Sequence, residues 1–248
     1  MTVVDRARIA FIHGVGLDGS MWEPVREFLE PEYDVQVLEL MGHGRHPKAA
    51  REVSLPELSA DVADSLLPGT HLVGFSLGAL VAQHIARFRP ELVASLASVA
   101  SVCNRTPEER AAVMRRLESA EADFPATVEA SIQRWYPDGT SVPAAVVEQT
   151  RDVLLRNDPG SFVACYRVFA AADAEIGPEL QHIAVPSLAV TGELDPGSTP
   201  GMSARLAAAI PGSTYSIVRG TRHMMPVERP QELATILTAF IKEHSHVR

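Results

Sequence analysis

His71-Leu72-Val73-Gly74-Phe75-Ser76-Leu77-Gly78-Ala79 decides the reading of this chain. An apolar run leads into Gly74, and a helix-like segment from Ala79 to Phe88 follows Gly78. Small-x-Ser-x-small between a strand and a helix is the sequence form of a nucleophile elbow. Such a turn is so sharp that side chains at Gly74 or Gly78 would clash with neighbouring backbone. The serine is forced into a strained conformation that lifts its hydroxyl above the sheet. Amides at the start of the next helix lie beside it, where negative charge is favoured. An exposed serine next to an anion site is what acyl transfer needs. Composition alone yields G-x-S-x-G in about one chain of this length in ten, so the partners decide.

A nucleophilic serine needs a histidine base, and that base needs a carboxylate to fix its tautomer and stabilise its charged form. Behind an elbow of this kind the chain order is serine, acid, histidine. Ser187-Leu188-Ala189-Val190-Thr191 reads as a buried strand and runs into Gly192-Glu193-Leu194-Asp195-Pro196. Tyr215-Ser216-Ile217-Val218 reads as another, followed by Gly220-Thr221-Arg222-His223. Asp195 and His223 therefore fall just past the C-terminal ends of strands, where open parallel sheets collect their ligand-binding residues. Glu193 is the nearby rival acid, while Asp158 and Asp173 sit in a helical region with no strand before them. Among the other histidines, His244 and His246 end the chain and His84 lies inside the helix after the elbow. His182 precedes a strand, and His43 and His46 come before the serine. The expected catalytic set is Ser76, Asp195 and His223.

With those residues in place the chain resembles an α/β-hydrolase. Phe11-Ile12-His13-Gly14-Val15-Gly16 is similar to the family's oxyanion loop, and Gly42-His43-Gly44 to a turn after its next strand. The usual Arg or Pro before that turn is Met41 here, a departure expected to touch the turn alone. Arg229-Pro230, leading into a last helix from Gln231 to Glu243, is also family-like. The resemblance implies that the backbone N–H groups of Val15 and Leu77 hold the oxyanion. It covers nearly the whole chain and implies no metal and no organic cofactor.

A second motif competes. Gly14-Val15-Gly16-Leu17-Asp18-Gly19 fits G-x-G-x-x-G after a strand, and Glu39 stands about twenty residues on, as in a dinucleotide site. Ser20-x-x-Glu23 reads as a capping box that starts the helix after Gly19. A dinucleotide fold instead opens its helix inside the glycine motif, so that the N-terminus meets the pyrophosphate. Nor does that reading explain the serine, acid and histidine downstream.

Hydrophobic periodicity places strands at Arg8–His13, Tyr33–Leu40, His71–Gly74, Leu92–Ala100, Pro186–Thr191 and Thr214–Val218. Helices alternate with several of them, which predicts a doubly wound, mostly parallel α/β sheet. The edge strands that often precede the first in the family the chain resembles are expected to be short or missing, or reduced to Thr2–Val4. Between Cys103 and Gly177 the alternation stops and successive helices follow. Thr106-x-x-Glu109 caps the first, Phe124 to Trp135 forms the second and Pro143 to Arg156 the third. The fourth, Pro159 to Ala172, opens with Asp158 as N-cap. The expected organisation is a hydrolase core at 1–103 and 177–248 with a helical cap inserted at 104–176. A cap excludes water and supplies the walls of a substrate pocket.

Trp135 is the expected pocket residue of the cap; Tyr136, Phe162, Tyr166 and Phe169 read rather as packing, and Trp22 as core. The segment Leu154 to Ile176, with Asn157-Asp158-Pro159 and Ala170-Ala171-Ala172-Asp173, is similar to the cap of 3-oxoadipate enol-lactonases and related small carboxylesterases. That likeness implies a small anionic lactone and hence a cation in the pocket. Arg134 and Arg167 are the residues available for it, though both read rather as solvated helix positions.

The composition fits one compact enzyme domain: 248 residues, 46% hydrophobic, net charge −9. No basic footprint for nucleic acid and no basic amphipathic or long apolar stretch for a membrane is present. Cys103 and Cys165 lack metal-ligand spacing and read as free thiols. Asp5, Arg6 and Arg8 interrupt any signal-like run, so a cytoplasmic location is expected. The expected substrate is a small ester or lactone. Two alternatives are a carbon–carbon bond hydrolase of the same fold and a ligand receptor on a hydrolase scaffold without turnover. An aspartate-nucleophile haloalkane dehalogenase or epoxide hydrolase is disfavoured by Ser76.

Overall fold

The computed structural model describes residues 6–49 and 52–244. A six-stranded sheet in the order β2-β1-β3-β4-β5-β6 forms its centre, and every neighbouring pair is parallel. The strands are β1 (Arg8–Ile12), β2 (Asp34–Leu38), β3 (Thr70–Phe75), β4 (Val93–Val99), β5 (Ser187–Gly192) and β6 (Thr214–Val218). Their ends lie within two residues of those read from hydrophobic periodicity. The edge strand expected at Thr2–Val4 lies outside the described residues.

Side chains alternate across a strand, and a parallel sheet is buried on both faces. In β1, Ile9 and Phe11 accordingly join one apolar cluster, while Ala10 and Ile12 join the other. The first cluster is closed by α1 (Glu23–Leu29) and α9 (Pro230–His244) through Val25, Leu29, Leu233 and Leu237. The second is closed by α2 (Leu55–Ala63), α3 (Leu77–Phe88) and α8 (Pro200–Ala209). Trp22 belongs to the first: fully buried, its ring lies 4.4 Å from that of Phe11 and 6.3 Å from that of Phe75.

The strand order reverses between β1 and β3, the switch point at which open α/β sheets bind ligands. There the start of α3 abuts the end of β1 so closely that a Cβ on Gly78 would run into the carbonyl oxygens of Ile12 and His13.

One local expectation is corrected. Ser20 and Glu23 do not form a capping box. Asp18 is the cap instead, accepting the Ser20 N–H at 3.0 Å, and a 3-10 turn over Gly19–Trp22 leads into α1. The Ser20 hydroxyl is turned to the same Asp18 carboxylate, and the Glu23 N–H donates to the Ser20 carbonyl instead of to its side chain.

Between β4 and β5 stand four helices: α4 (Pro107–Ala122), α5 (Phe124–Trp135), α6 (Ala144–Leu155) and α7 (Pro159–Ile176). Thr106 and Glu109 make the reciprocal box read from the sequence, and Asp158 caps α7 by accepting the Ser161 N–H. Helix α7 runs four residues past its expected end at Ala172. Its last turn is held by a buried ion pair, Arg105 Nη1 to Asp173 Oδ1 at 2.6 Å, and Arg105 also donates to the Phe169 and Ala170 carbonyls. This clamps the helical insertion to the loop leaving β4. Among the described residues no helix is long and apolar enough to cross a membrane.

Candidate active site

Ser76 sits between β3 and α3 with φ 54° and ψ −112°, a left-handed backbone that a serine adopts only under constraint. The constraint is visible. Its N–H donates to Val99 O at 3.0 Å, and a Cβ on Gly74 would strike the Gly78 carbonyl. Hydrogen bonding across the sheet and close packing of the two glycines thus over-determine the turn.

Asp195 and His223 arrive from the loops after β5 and β6, which are tied together. The Glu193 N–H donates to Val218 O at 2.9 Å and the Leu194 N–H to Thr221 O at 2.9 Å. Gly192 has no room for a Cβ against the Thr221 carbonyl. The loops bring His223 Nδ1 to 2.6 Å from Asp195 Oδ2, with both side chains buried. Asp195 Oδ1 accepts the N–H groups of Gly197 and Ser198 at 2.8 and 2.9 Å. With a carboxylate oxygen as its acceptor, Nδ1 carries the proton and Nε2 keeps its lone pair. Glu193, the rival acid, instead accepts the Gly220 N–H at 2.9 Å. Glu228 braces the histidine loop by accepting the Arg222 N–H, and burial raises its carboxyl above the usual range.

Ser76, Asp195 and His223 all line one cavity of about 50 Å³ over the strand ends. Trp135, the last residue of α5, stacks on the His223 imidazole at 5.6 Å with 25° between the planes, while Phe75 meets the ring at 4.9 Å. Phe162, Tyr166 and Phe169 of α7 complete the wall, so residues read as packing also face the cavity. Tyr136 does not; its hydroxyl pairs with Thr150.

Val15 lines the same cavity, and Leu77 opens α3. Neither N–H has an acceptor among the described residues, as the first turn of a helix predicts for Leu77. Two buried histidines shape the loop that carries Val15. His43 Nε2 accepts the Gly16 N–H at 2.8 Å; His13 Nε2 accepts the Leu40 N–H at 3.0 Å and its Nδ1 donates to Gly14 O. Burial pushes His13 down to about 4 and His43 to about 3, with His13 adding to the depression of His43.

The glycine-rich segment has another use than a dinucleotide cradle. Phe75 and Ser76 crowd Gly14, and Phe162 and Leu154 crowd Gly16. Glu39, which stood where a ribose acid would, accepts the Gly19 N–H at 3.0 Å. Among the described residues no three His, Cys, Asp or Glu side chains converge to hold a metal.

Of the two arginines proposed from the sequence, Arg134 lines the cavity and Arg167 does not. Arg167 pairs with Glu121 at 2.6 Å on the surface. Arg116 of α4 also lines the cavity and was not anticipated. It stands in a run of charged residues, Glu108 to Glu121, whose pattern marks no single face.

The chain belongs to the alpha/beta hydrolase family, whose model matches residues 9–236. It is 27% identical over 239 residues to an (E)-2-((N-methylformamido)methylene)succinate hydrolase of Acinetobacter baylyi, covering 94% of this chain and 90% of that protein. To a pimeloyl-[acyl-carrier protein] methyl ester esterase of Aeromonas salmonicida it is 28% identical over 243 residues, covering 94% of each. To 3-oxoadipate enol-lactonase 2 of Acinetobacter baylyi it is 26% identical over 243 residues, covering 96% of this chain and 90% of that protein.

Proposed function

We propose that the protein hydrolyses a small ester or lactone by serine acyl transfer. The observation that carries the reading is the 2.6 Å bond from His223 Nδ1 to Asp195 Oδ2, on the wall of the cavity that also holds the strained Ser76. His223 Nε2 takes the Ser76 proton as Oγ attacks the carbonyl carbon. The N–H groups of Val15 and Leu77, which have no acceptor among the described residues, hold the oxyanion. The tetrahedral species collapses, and the leaving alkoxide takes its proton from His223. Water then gives a proton to His223 and its oxygen to the acyl carbon; a second collapse returns Ser76 and releases the acid. In a lactone the alkoxide stays tethered, so a single hydroxy or keto acid leaves. The small cavity supports a short acyl group. The methyl ester esterase and the enol-lactonase among its relatives support the bond type.

Hydrolysis of short p-nitrophenyl esters and a panel of small lactones tests the reading in wild type, Ser76→Ala and Asp195→Asn. Ser76→Ala should lose roughly 10⁶-fold in kcat. Asp195→Asn should lower kcat by roughly 10⁴-fold, because an amide partner favours the wrong tautomer of His223. Equal rates in wild type and Ser76→Ala, with both folded, would reject the proposal.

A further inference from the structure

We infer that Asn157, at the junction of α6 and α7, is a positioning residue of the oxyanion hole and sets the aim of the Val15 N–H. The inference rests on the hydrolase reading and adds to it a side chain outside the cavity at Ser76. Asn157 Nδ2 donates to the Gly16 carbonyl, 141 residues away, at 2.7 Å. It also donates to the Val153 and Leu154 carbonyls, each at 3.0 Å. Three oxygens that only accept face this end of the amide, so the nitrogen is the atom that stands there.

The bonds to Val153 and Leu154 are those of a helix end, since carbonyls in the last turn of α6 lack partners within the helix. The shortest of the three, to Gly16, serves a different segment. Gly16 follows Val15, and the helical insertion meets it with more than one side chain, because Leu154 and Phe162 crowd it as well. His13 and His43 hold the same turn from the core, at the Gly14 carbonyl and at the Gly16 N–H.

The Asn157 bond reaches the hole through two peptide planes. A peptide unit is planar and trans, so its N–H points opposite to its C=O. The Gly16 carbonyl shares its unit with the Leu17 N–H, which donates to the Gly14 carbonyl at 3.3 Å. The Gly14 carbonyl shares its unit with the Val15 N–H, and Val15 lines the cavity beside Ser76. Asn157 Nδ2–H, Gly16 C=O, Leu17 N–H, Gly14 C=O and Val15 N–H therefore form one directed series. Each bond polarises the next, which strengthens the terminal donor as well as fixing its direction. The helices that wall the cavity thereby also set one arm of its oxyanion hole.

Asn157→Asp tests the inference, because it keeps the shape of the side chain and sets an acceptor against three carbonyls. Asn157→Ala, which removes the donor without adding charge, takes its place if the aspartate variant does not fold. Lys48→Gln is the control: Lys48 Nζ pairs with Asp158 at 2.8 Å and ties the same junction to the loop after β2 without entering the series. On a short p-nitrophenyl ester the Asn157 variant should lose roughly 10- to 100-fold in kcat and in kcat/KM alike, the signature of an interaction made only in the transition state. A trifluoromethyl ketone, to whose carbonyl Ser76 Oγ adds while its proton passes to His223, leaves an oxyanion in the hole, and its binding should weaken by the same factor. Lys48→Gln should change neither. In proton–nitrogen correlation spectra the Val15 and Leu17 amide signals should both move in the Asn157 variant. A role confined to the end of α6 would lower thermal stability and leave kcat and ketone binding in place. The inference is overturned by that result, by equal losses in Lys48→Gln, or by Val15 and Leu17 signals that stay where they are. Turnover of no ester or lactone by wild type would sink the hydrolase reading instead, and the two amide signals would still decide whether Asn157 sets the Val15 N–H.

Discussion

Lowering the pH from 7 to 5 should destabilise the fold through His13 and His43. Both rings are enclosed, and each spends a lone pair on a backbone N–H: His43 on Gly16 at 2.8 Å, His13 on Leu40 at 3.0 Å. A proton on either Nε2 would cancel that bond and leave a charge without water. Burial holds the rings at about 4 and about 3, against 6.5 for an exposed histidine. The folded-state values are depressed, so between them and 6.5 the unfolded chain binds the protons and the native chain does not. Stability from this source is complete above pH 6.5 and is lost as the pH falls below it. One pH unit is worth about 1.36 kcal/mol per group, so at pH 5 each histidine costs about 2 kcal/mol and the pair about 4 kcal/mol. Half-buried His84, also lowered by burial, adds to the same slope. Glu39 and Glu228 act in the opposite sense, since their raised values let the folded state hold a proton more tightly as the carboxylate range is approached. Urea unfolding at pH 7, 6 and 5 measures the slope, and His43→Gln should remove nearly half of it. The reasoning is refuted if the unfolding free energy is flat from pH 7 to 5, or if the C2 protons of these rings titrate near 6.5 in the folded protein.

Two further outcomes follow from packing. Trp135→Ala should shift activity towards longer acyl groups and cost about 3–5 kcal/mol of stability, because the indole is nearly buried and walls the cavity beside His223. An ester chain-length series with thermal unfolding checks both, and an unchanged acyl optimum would remove Trp135 from the pocket. Arg105→Met should destabilise by about 3–5 kcal/mol by leaving Asp173 charged in the interior with only the residue-105 N–H, 3.0 Å from Oδ2, and Arg110 Nη2, 3.9 Å away, for compensation. Arg105→Met with Asp173→Leu should recover much of the loss in denaturant titration. A double variant as unstable as the single would show that the bonds to the Phe169 and Ala170 carbonyls, not the buried charge, matter there.

Strands, cap helices and the three strand-end residues could be read ahead of the structure because each is announced by its own neighbours. Alternation in β1 reports two buried faces, Thr106-x-x-Glu109 and Asp158-Pro159 announce helix starts, and Gly74 and Gly78 announce a turn that only glycine permits. These signals act within a few residues, through backbone stereochemistry and local hydrogen bonds. Even there neighbours compete: Asp18, two residues before Ser20, is the cap where the Ser20-x-x-Glu23 spacing predicts Ser20.

Ordering Arg134 and Arg116 against Arg167 required the fold. Arg116 and Arg167 both stand on charged helices with nothing local to separate them. The packing of α4 against α5 and α7 points one at the cavity and the other at Glu121. His13 and His43 likewise read as spare histidines until the β1 and β2 loops met and each found a backbone N–H 27 residues away. Periodicity and turn chemistry are short-range and written into the chain. The partner a side chain finds depends on which distant elements close around it, and that is settled only when the core packs.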